Sequence, residues 1–319
     1  MCGRLQAYGV PLFWLLVLAL AASFVLLDSG MDWDYVIPKR LVRLAAVVIG
    51  GTCVALSAIV FQTLVGNRIL TPAIMGYETV YLLWQSLLLW LLGASGLSLL
   101  GVSGNFFVSV GLMLGYSWLM HRWLLRKGKG DVFVLLLLGL VLTMVIGTFT
   151  QFVQLRISPG EFAVFQGLSY ASFNRARPET LAYAAIAVLV VCVVLRKTLP
   201  VLDVLALGRD QAMSLGVPHA QYLRLYLALI AVLVAVSTSL IGPTAFMGIF
   251  VANIVYALVP RARHARMLPL GCGLAIAIFL VAQLLVEHVF NYKTTVSILV
   301  NLVCGLYFFV LILRSRGNP

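Results

Sequence analysis

The sequence predicts an all-α, polytopic membrane protein with about ten spanning helices and both termini on the cytoplasmic side. Three observations predict it. The 319 residues are 62% hydrophobic and 10% charged, against roughly 45–50% apolar and about 25% charged in soluble domains. The apolar residues run continuously, as over 132–145, instead of alternating as in a membrane β-barrel. The basic residues gather in every second connection, as they do in loops facing the cytoplasm. This composition excludes a soluble enzyme, a disordered chain and a secreted disulfide scaffold.

Hydropathy places the spans at 10–27, 44–65, 77–93, 106–125, 132–155, 181–198, 222–241, 246–259, 268–290 and 297–313. The eighth is short, and only Gly242-Pro243 separates it from the seventh. Charge decides the count: merging the two would leave Arg261, Arg263 and Arg266 outside, whereas ten spans keep most Lys and Arg inside. The net charge of +12 is then a mark of topology, not of nucleic-acid binding. The first span is longer than a signal-peptide core and has only Arg4 as its basic flank, so it reads as an uncleaved anchor. No stretch divides the chain into soluble units. A single transmembrane domain, 1–319, is expected, with a patterned cytoplasmic segment at 200–221.

Catalysis by this chain alone is not expected. There is no phosphate-binding loop of the G-x-x-x-x-G-K-[ST] kind. The four histidines (His121, His219, His264, His288) are dispersed and read as loop or interfacial residues. The five cysteines contain no C-x-x-C pair, so neither a disulfide framework nor a metal ligand set is expected. Intramembrane acids are scarce. Glu78 falls at the start of the third span, Asp131 begins the fifth, and Glu287 lies near the outer end of the ninth. None is expected at mid-membrane, which argues against an ion-coupled carrier.

Two spans carry stripes. Gly139, Thr143, Gly147 and Gln151 recur every four residues and so share one helical face. That face is either a pathway wall or a seam between helices, where small residues let backbones approach. Gly51, Ala55, Ala58 and Gln62 form a similar stripe in the second span. Between the sixth and seventh spans, Gly208 and Gly216 bracket a short helix. Ala212 and Leu215, three apart, would form a small apolar ridge, suited to a groove in another protein or to the bilayer surface.

Leu207-Gly208…Ala212…Leu215-Gly216 is similar to the coupling motif of bacterial ABC importer permeases of the FecCD type. The likeness extends along the chain: Arg40…Arg43, Gly50-Gly51…Ala55-Leu56-Ser57…Gln62, Asn67…Pro72…Gly76, Gly242-Pro243…Phe246…Gly248, and Gly305…Phe308. Asn67-Arg68, Ala252-Asn253, Gln283 and Glu287 depart from the family's usual residues. The stretch 165–174 resembles the branch that handles catecholate siderophores.

The resemblance implies a type II ABC importer permease fold in a bacterial inner membrane. It implies a second permease subunit, identical or paralogous, two cytoplasmic ATPases that bind ATP and Mg, and an external solute-binding protein. A ferric siderophore would be the cargo, with no cofactor or metal held by this chain. Leu207, Gly208, Asp210, Ala212, Leu215 and Gly216 would couple to the ATPase. Arg40, Arg43, Arg175 and Arg177 would dock the binding protein, steering it electrostatically. The fifth helix lines the path in this family, so Thr143, Gly147 and Gln151 become its expected wall, and Gln62 of the second helix is expected on the same path. The alternatives are an ion-gradient carrier, a permease for haem or vitamin B12, and a membrane-embedded enzyme.

Overall fold

A computed structural model describes residues 2–27, 34–126, 132–244, 246–259 and 263–316. Asp28, Asp32, Lys127, Lys129, Asp131 and Arg261 lie outside them. Among the described residues the fold is helical throughout, with no strand. The helices are α1 (Cys2–Leu26), α2 (Val36–Val65), α3 (Tyr77–Arg126), α4 (Val132–Gln154), α5 (Pro159–Ser169), α6 (Pro178–Leu205), α7 (Arg209–Ser214), α8 (His219–Ile241), α9 (Met247–Leu258), α10 (His264–Leu284) and α11 (Val296–Arg316). Six described helices are long and apolar enough to cross a membrane, and three shorter apolar ones accompany them.

The third and fourth expected spans belong to one 50-residue element, α3. A straight helix of that length would reach about 75 Å, far more than the roughly 30 Å of a bilayer core. It does not run straight. Gly93 and Gly101 both take φ +63° with ψ near 180°, a conformation open only to glycine at low cost, and the chain doubles back there. The two legs then pair antiparallel: Tyr77 bonds Ser117 at 3.2 Å, Gln85 donates to Ser109 at 3.3 Å, and Trp84 donates to Asn105 at 2.8 Å.

Burial sorts the helices into a centre and a shell. The most apolar window of α2 is 72% buried and that of α8 67%, against 17% for α3 and α4. In lipid no hydrophobic force draws helices together, so close approach at small residues does. A Cβ at Gly51 of α2 would stand 3.1 Å from the backbone nitrogen of Ile276 in α10, which is why α2 can lie flush against α10. The shell helices keep apolar outer faces, for example Leu137, Val141 and Met144 of α4 and Ile186 and Leu189 of α6.

Two short elements interrupt the expected connections. Pro159 opens α5, where Ser158 and Glu161 form a reciprocal cap, with Glu161 N–H donating to Ser158 Oγ at 3.4 Å. Between α2 and α3, the 3₁₀ turn Pro72–Met75 lies back against α4. Thr71, Pro72 and Ala73 line one small cavity with Val54, Ser57 and Ala58 of α2. The chain therefore returns halfway up α2 before α3 begins.

Candidate functional site

The segment between α6 and α8 is ordered as a six-residue helix between two left-handed glycines, Gly208 (φ +102°) and Gly216 (φ +80°). Gly208 C=O accepts the Ala212 N–H at 3.0 Å, and Ala212 C=O accepts the Val217 N–H at 3.0 Å. The ridge expected from sequence is rearranged. Ala212 is fully buried and faces the bundle, while Leu207, Met213 and Leu215 are 54%, 47% and 63% exposed. Leu215 caps the helix (φ −82°, ψ 7°) and so leaves the face its three-residue spacing assigned it. The result is a buried anchor under an apolar knob. Leu207, Asp210, Met213 and Leu215 stand outward, with the two glycines as hinges of the knob.

The α4 stripe divides along its length. A Cβ at Gly139 would come within 3.0 Å of Met75 Cα, and Thr143 Oγ1 donates to Ile74 C=O at 3.1 Å. That end is a seam with the Pro72–Met75 turn. A Cβ at Gly147 would stand 3.8 Å from Thr79 Cγ2, an ordinary van der Waals contact, and Gln151 is exposed. Gln62 of α2 is only 2% exposed, and neither its amide nitrogen nor its amide oxygen has a partner. In this conformation it is sealed inside the protomer.

The four arginines lie at the end of the bundle opposite α7. Arg40 Nη1 donates to Phe24 C=O at 2.8 Å and also to Leu27 C=O, tying down the last turn of α1. Arg43 pairs with Glu287 at 3.3 Å, and Gln283 donates to the same carboxylate oxygen at 2.8 Å. Arg175 spans the turn after α5, donating to Leu168, Tyr170 and Ile241 carbonyls. Arg177 is the exposed one, just before α6. Three of the four guanidinium groups are thus committed within the chain.

Two polar links escaped the sequence. The first corrects the depth of Glu78. Because the chain re-enters before α3, Glu78 lines the cavity beside Ser57 and Ala58, midway along the second span, and accepts the Thr244 N–H at 3.0 Å. The second corrects the view of His264 as a loop residue. It is 5% exposed, its Nδ1 lies 2.5 Å from Asp203 Oδ1, and its Nε2 lies 2.9 Å from Thr63 Oγ1. This chain joins α6, α10 and α2 at the α7 end. No local spacing could reveal it, since Asp203 is 61 residues away and Thr63 is 201.

Comparison with known proteins gives this architecture a lineage. Residues 10–314 match the FecCD transport family. The chain is 34% identical over 296 residues to a petrobactin import system permease, YclO, from Bacillus subtilis (strain 168), covering 92% of this chain and 93% of that one. It is 30% identical to a second petrobactin import permease, FatC, from Bacillus anthracis, covering 98% and 90%. A solved structure described as an inward-facing metal-chelate type ABC transporter shares the fold at TM-score 0.82, with 20% identity and coverage of 94% and 96%. An all-helical chain built on this plan and matching that family over almost its whole length belongs to the FecCD transport family, as a membrane permease of the ABC type.

Proposed function

We propose that this chain is the permease subunit of an ATP-driven importer that carries a ferric siderophore across a bacterial inner membrane into the cytoplasm. The observation that carries the reading is the apolar knob of α7. Met213 stands exposed on α7, and Leu207 and Leu215 stand exposed at its two ends, around a helix whose only buried residue is Ala212. Exposed apolar side chains flanked by Arg209 and Asp210 suit a protein groove better than water, where apolar patches mark contact sites. A separate ATPase seated there would push on α6 and α8, because α7 is joined to both by short links and packs against both.

The petrobactin permeases YclO and FatC support a siderophore cargo, and the likeness of residues 165–174 to the catecholate branch supports that class. A solute-binding protein would deliver the cargo at the end opposite α7, where Arg43 is 28% exposed beside its carboxylate partner. A second permease, a copy or a paralogue, would cover the exposed α4 face that includes Gln151.

The test is co-purification and transport. Leu215→Asp puts a charge at the centre of the knob, so the ATPase subunit should no longer co-purify and uptake of radio-iron chelated by a catecholate siderophore should fall to background. A complex that survives Leu215→Asp with undiminished uptake overturns the coupling assignment. Uptake of haem or cobalamin in place of the ferric siderophore overturns the cargo assignment.

A further inference from the structure

A cavity of about 370 Å³ opens at the end opposite α7, between the doubled-back part of α3, the start of α6 and the end of α8. Its size falls in the range of small-molecule pockets, roughly 300–1,000 Å³. Its polar lining includes Arg175, Arg177, Asn105, Thr180 and Ser239, with no carboxylate among the lining residues. Glu179, the nearest acid in sequence, is outside the lining and accepts from Ser103 at 3.4 Å.

Arg175 spends its Nη atoms on backbone carbonyls, and its side chain also bonds the Tyr81 hydroxyl on the same wall. Ser239 Oγ is buried without a partner. A buried polar group left unsatisfied costs about 1–3 kcal/mol, so Ser239 favours a ligand that accepts a hydrogen bond, and the exposed Arg177 supplies positive charge to the same lining. The start of α6 adds the positive end of a helix dipole to the same space. Guanidinium groups bind phosphate oxygens with charge-assisted hydrogen bonds. On another side the lining is apolar, with Val102 37% exposed beside Leu97.

We propose that this cavity is a binding site for an anionic phosphate group, supplied by a lipid headgroup or by free phosphate. Arg175 and Arg177 line this pocket together. Arg175 holds the turn and contributes its charge; Arg177 closes the site from the exposed side.

The test uses the intact importer complex and leaves Arg175 in place. Native mass spectrometry in phosphatidylglycerol and in phosphatidylcholine reads lipid retention, and thermal unfolding in millimolar inorganic phosphate reads the free ion. Arg177→Gln removes the exposed charge with little risk to folding, and Ser239→Leu fills the cavity from α8. If the lipid is the source, phosphatidylglycerol retention should exceed that of phosphatidylcholine and fall at least about fivefold in both variants, as loss of a charge-assisted contact requires. If free phosphate is the source, it should raise the unfolding temperature of the unmodified complex and not of the variants. Equal behaviour of the unmodified complex and both variants toward phosphatidylglycerol and phosphate alike overturns the proposal.

Discussion

One oxygen of Asp203 holds His264 twice, accepting its backbone N–H at 3.0 Å and lying 2.5 Å from its ring Nδ1. The carboxylate thereby caps the start of α10 and fixes the ring so that Nε2 meets Thr63 on α2. Three helices that carry no mutual sequence signal are pinned together a few residues from α7. α7 packs against both α6 and α8, and this link ties the α7 end of α6 to α2 at the centre of the bundle.

Replacing His264 by Ala should therefore do more than remove a contact. Asp203 keeps the backbone N–H of residue 264 and Thr63 keeps the Ile59 carbonyl, so the loss is that of the ring's own hydrogen bonds, about 0.5–1.5 kcal/mol each. The purified importer should unfold at a lower temperature, and ATP hydrolysis should outlast transport because the two ends of the stroke are no longer joined. Thermal unfolding and paired uptake and hydrolysis assays check this. Unchanged coupling in a destabilised protein would reduce the link to a structural clamp.

The two glycines of α4 should respond differently to an added methyl group. Gly139→Ala forces a Cβ to about the 3.0 Å approach of Met75 Cα, and backbone does not yield easily. Overpacking of that sort costs about 1–3 kcal/mol. Gly147→Ala meets nothing nearer than Thr79 Cγ2 at 3.8 Å and should leave stability unchanged. Detergent-stability curves for the two variants, measured side by side, decide whether the seam is confined to the Gly139 end.

Arg43 and Glu287 invite a double-mutant cycle. The carboxylate is the buried partner, at 5% side-chain exposure against 28% for the guanidinium. Arg43→Ala leaves the buried Glu287 carboxylate without its cation, so it should destabilise by about 1–3 kcal/mol, the cost of a poorly satisfied buried group. Glu287→Gln alone should cost less, and the double variant should recover much of the loss of Arg43→Ala. Additive losses in thermal unfolding would show that the pair does not interact.

Glu78 separates an ATP-driven importer from a gradient-driven carrier. Its Oε1 accepts from Thr244 N–H, and a glutamine carbonyl can accept in the same way. Glu78→Gln should thus retain uptake of the ferric siderophore, whereas Glu78→Ala should lose the link between α3 and the α8–α9 turn and be less stable. Abolition of uptake by Glu78→Gln, in vesicles that keep ATP hydrolysis, would make the carboxyl a titrating group and overturn the ATP-only reading.

The class of the protein was legible without coordinates, because helix in lipid is a local requirement: every backbone group must bond within its own segment. Long apolar runs, the glycines around residues 207–217 and the family likeness all follow from near neighbours in the chain. Positions across the bundle were not legible. The depth of Glu78 depends on residues 66–76 folding back along α2, and the burial of Ala212 under an exposed Leu215 depends on where a six-residue helix stops.

The amino-acid order by itself determined that this chain lives in a bilayer, how many apolar stretches it offers and which short segment projects between α6 and α8. Only the tertiary structure decided which polar side chains are spent inside. Arg40, Arg175 and His264 look free in a linear reading, yet each is bonded to groups that packing delivers from elsewhere. The physical reason is that a polar group in a dry bundle must find a partner, and the nearest partner in space is set by helix packing, not by position along the chain.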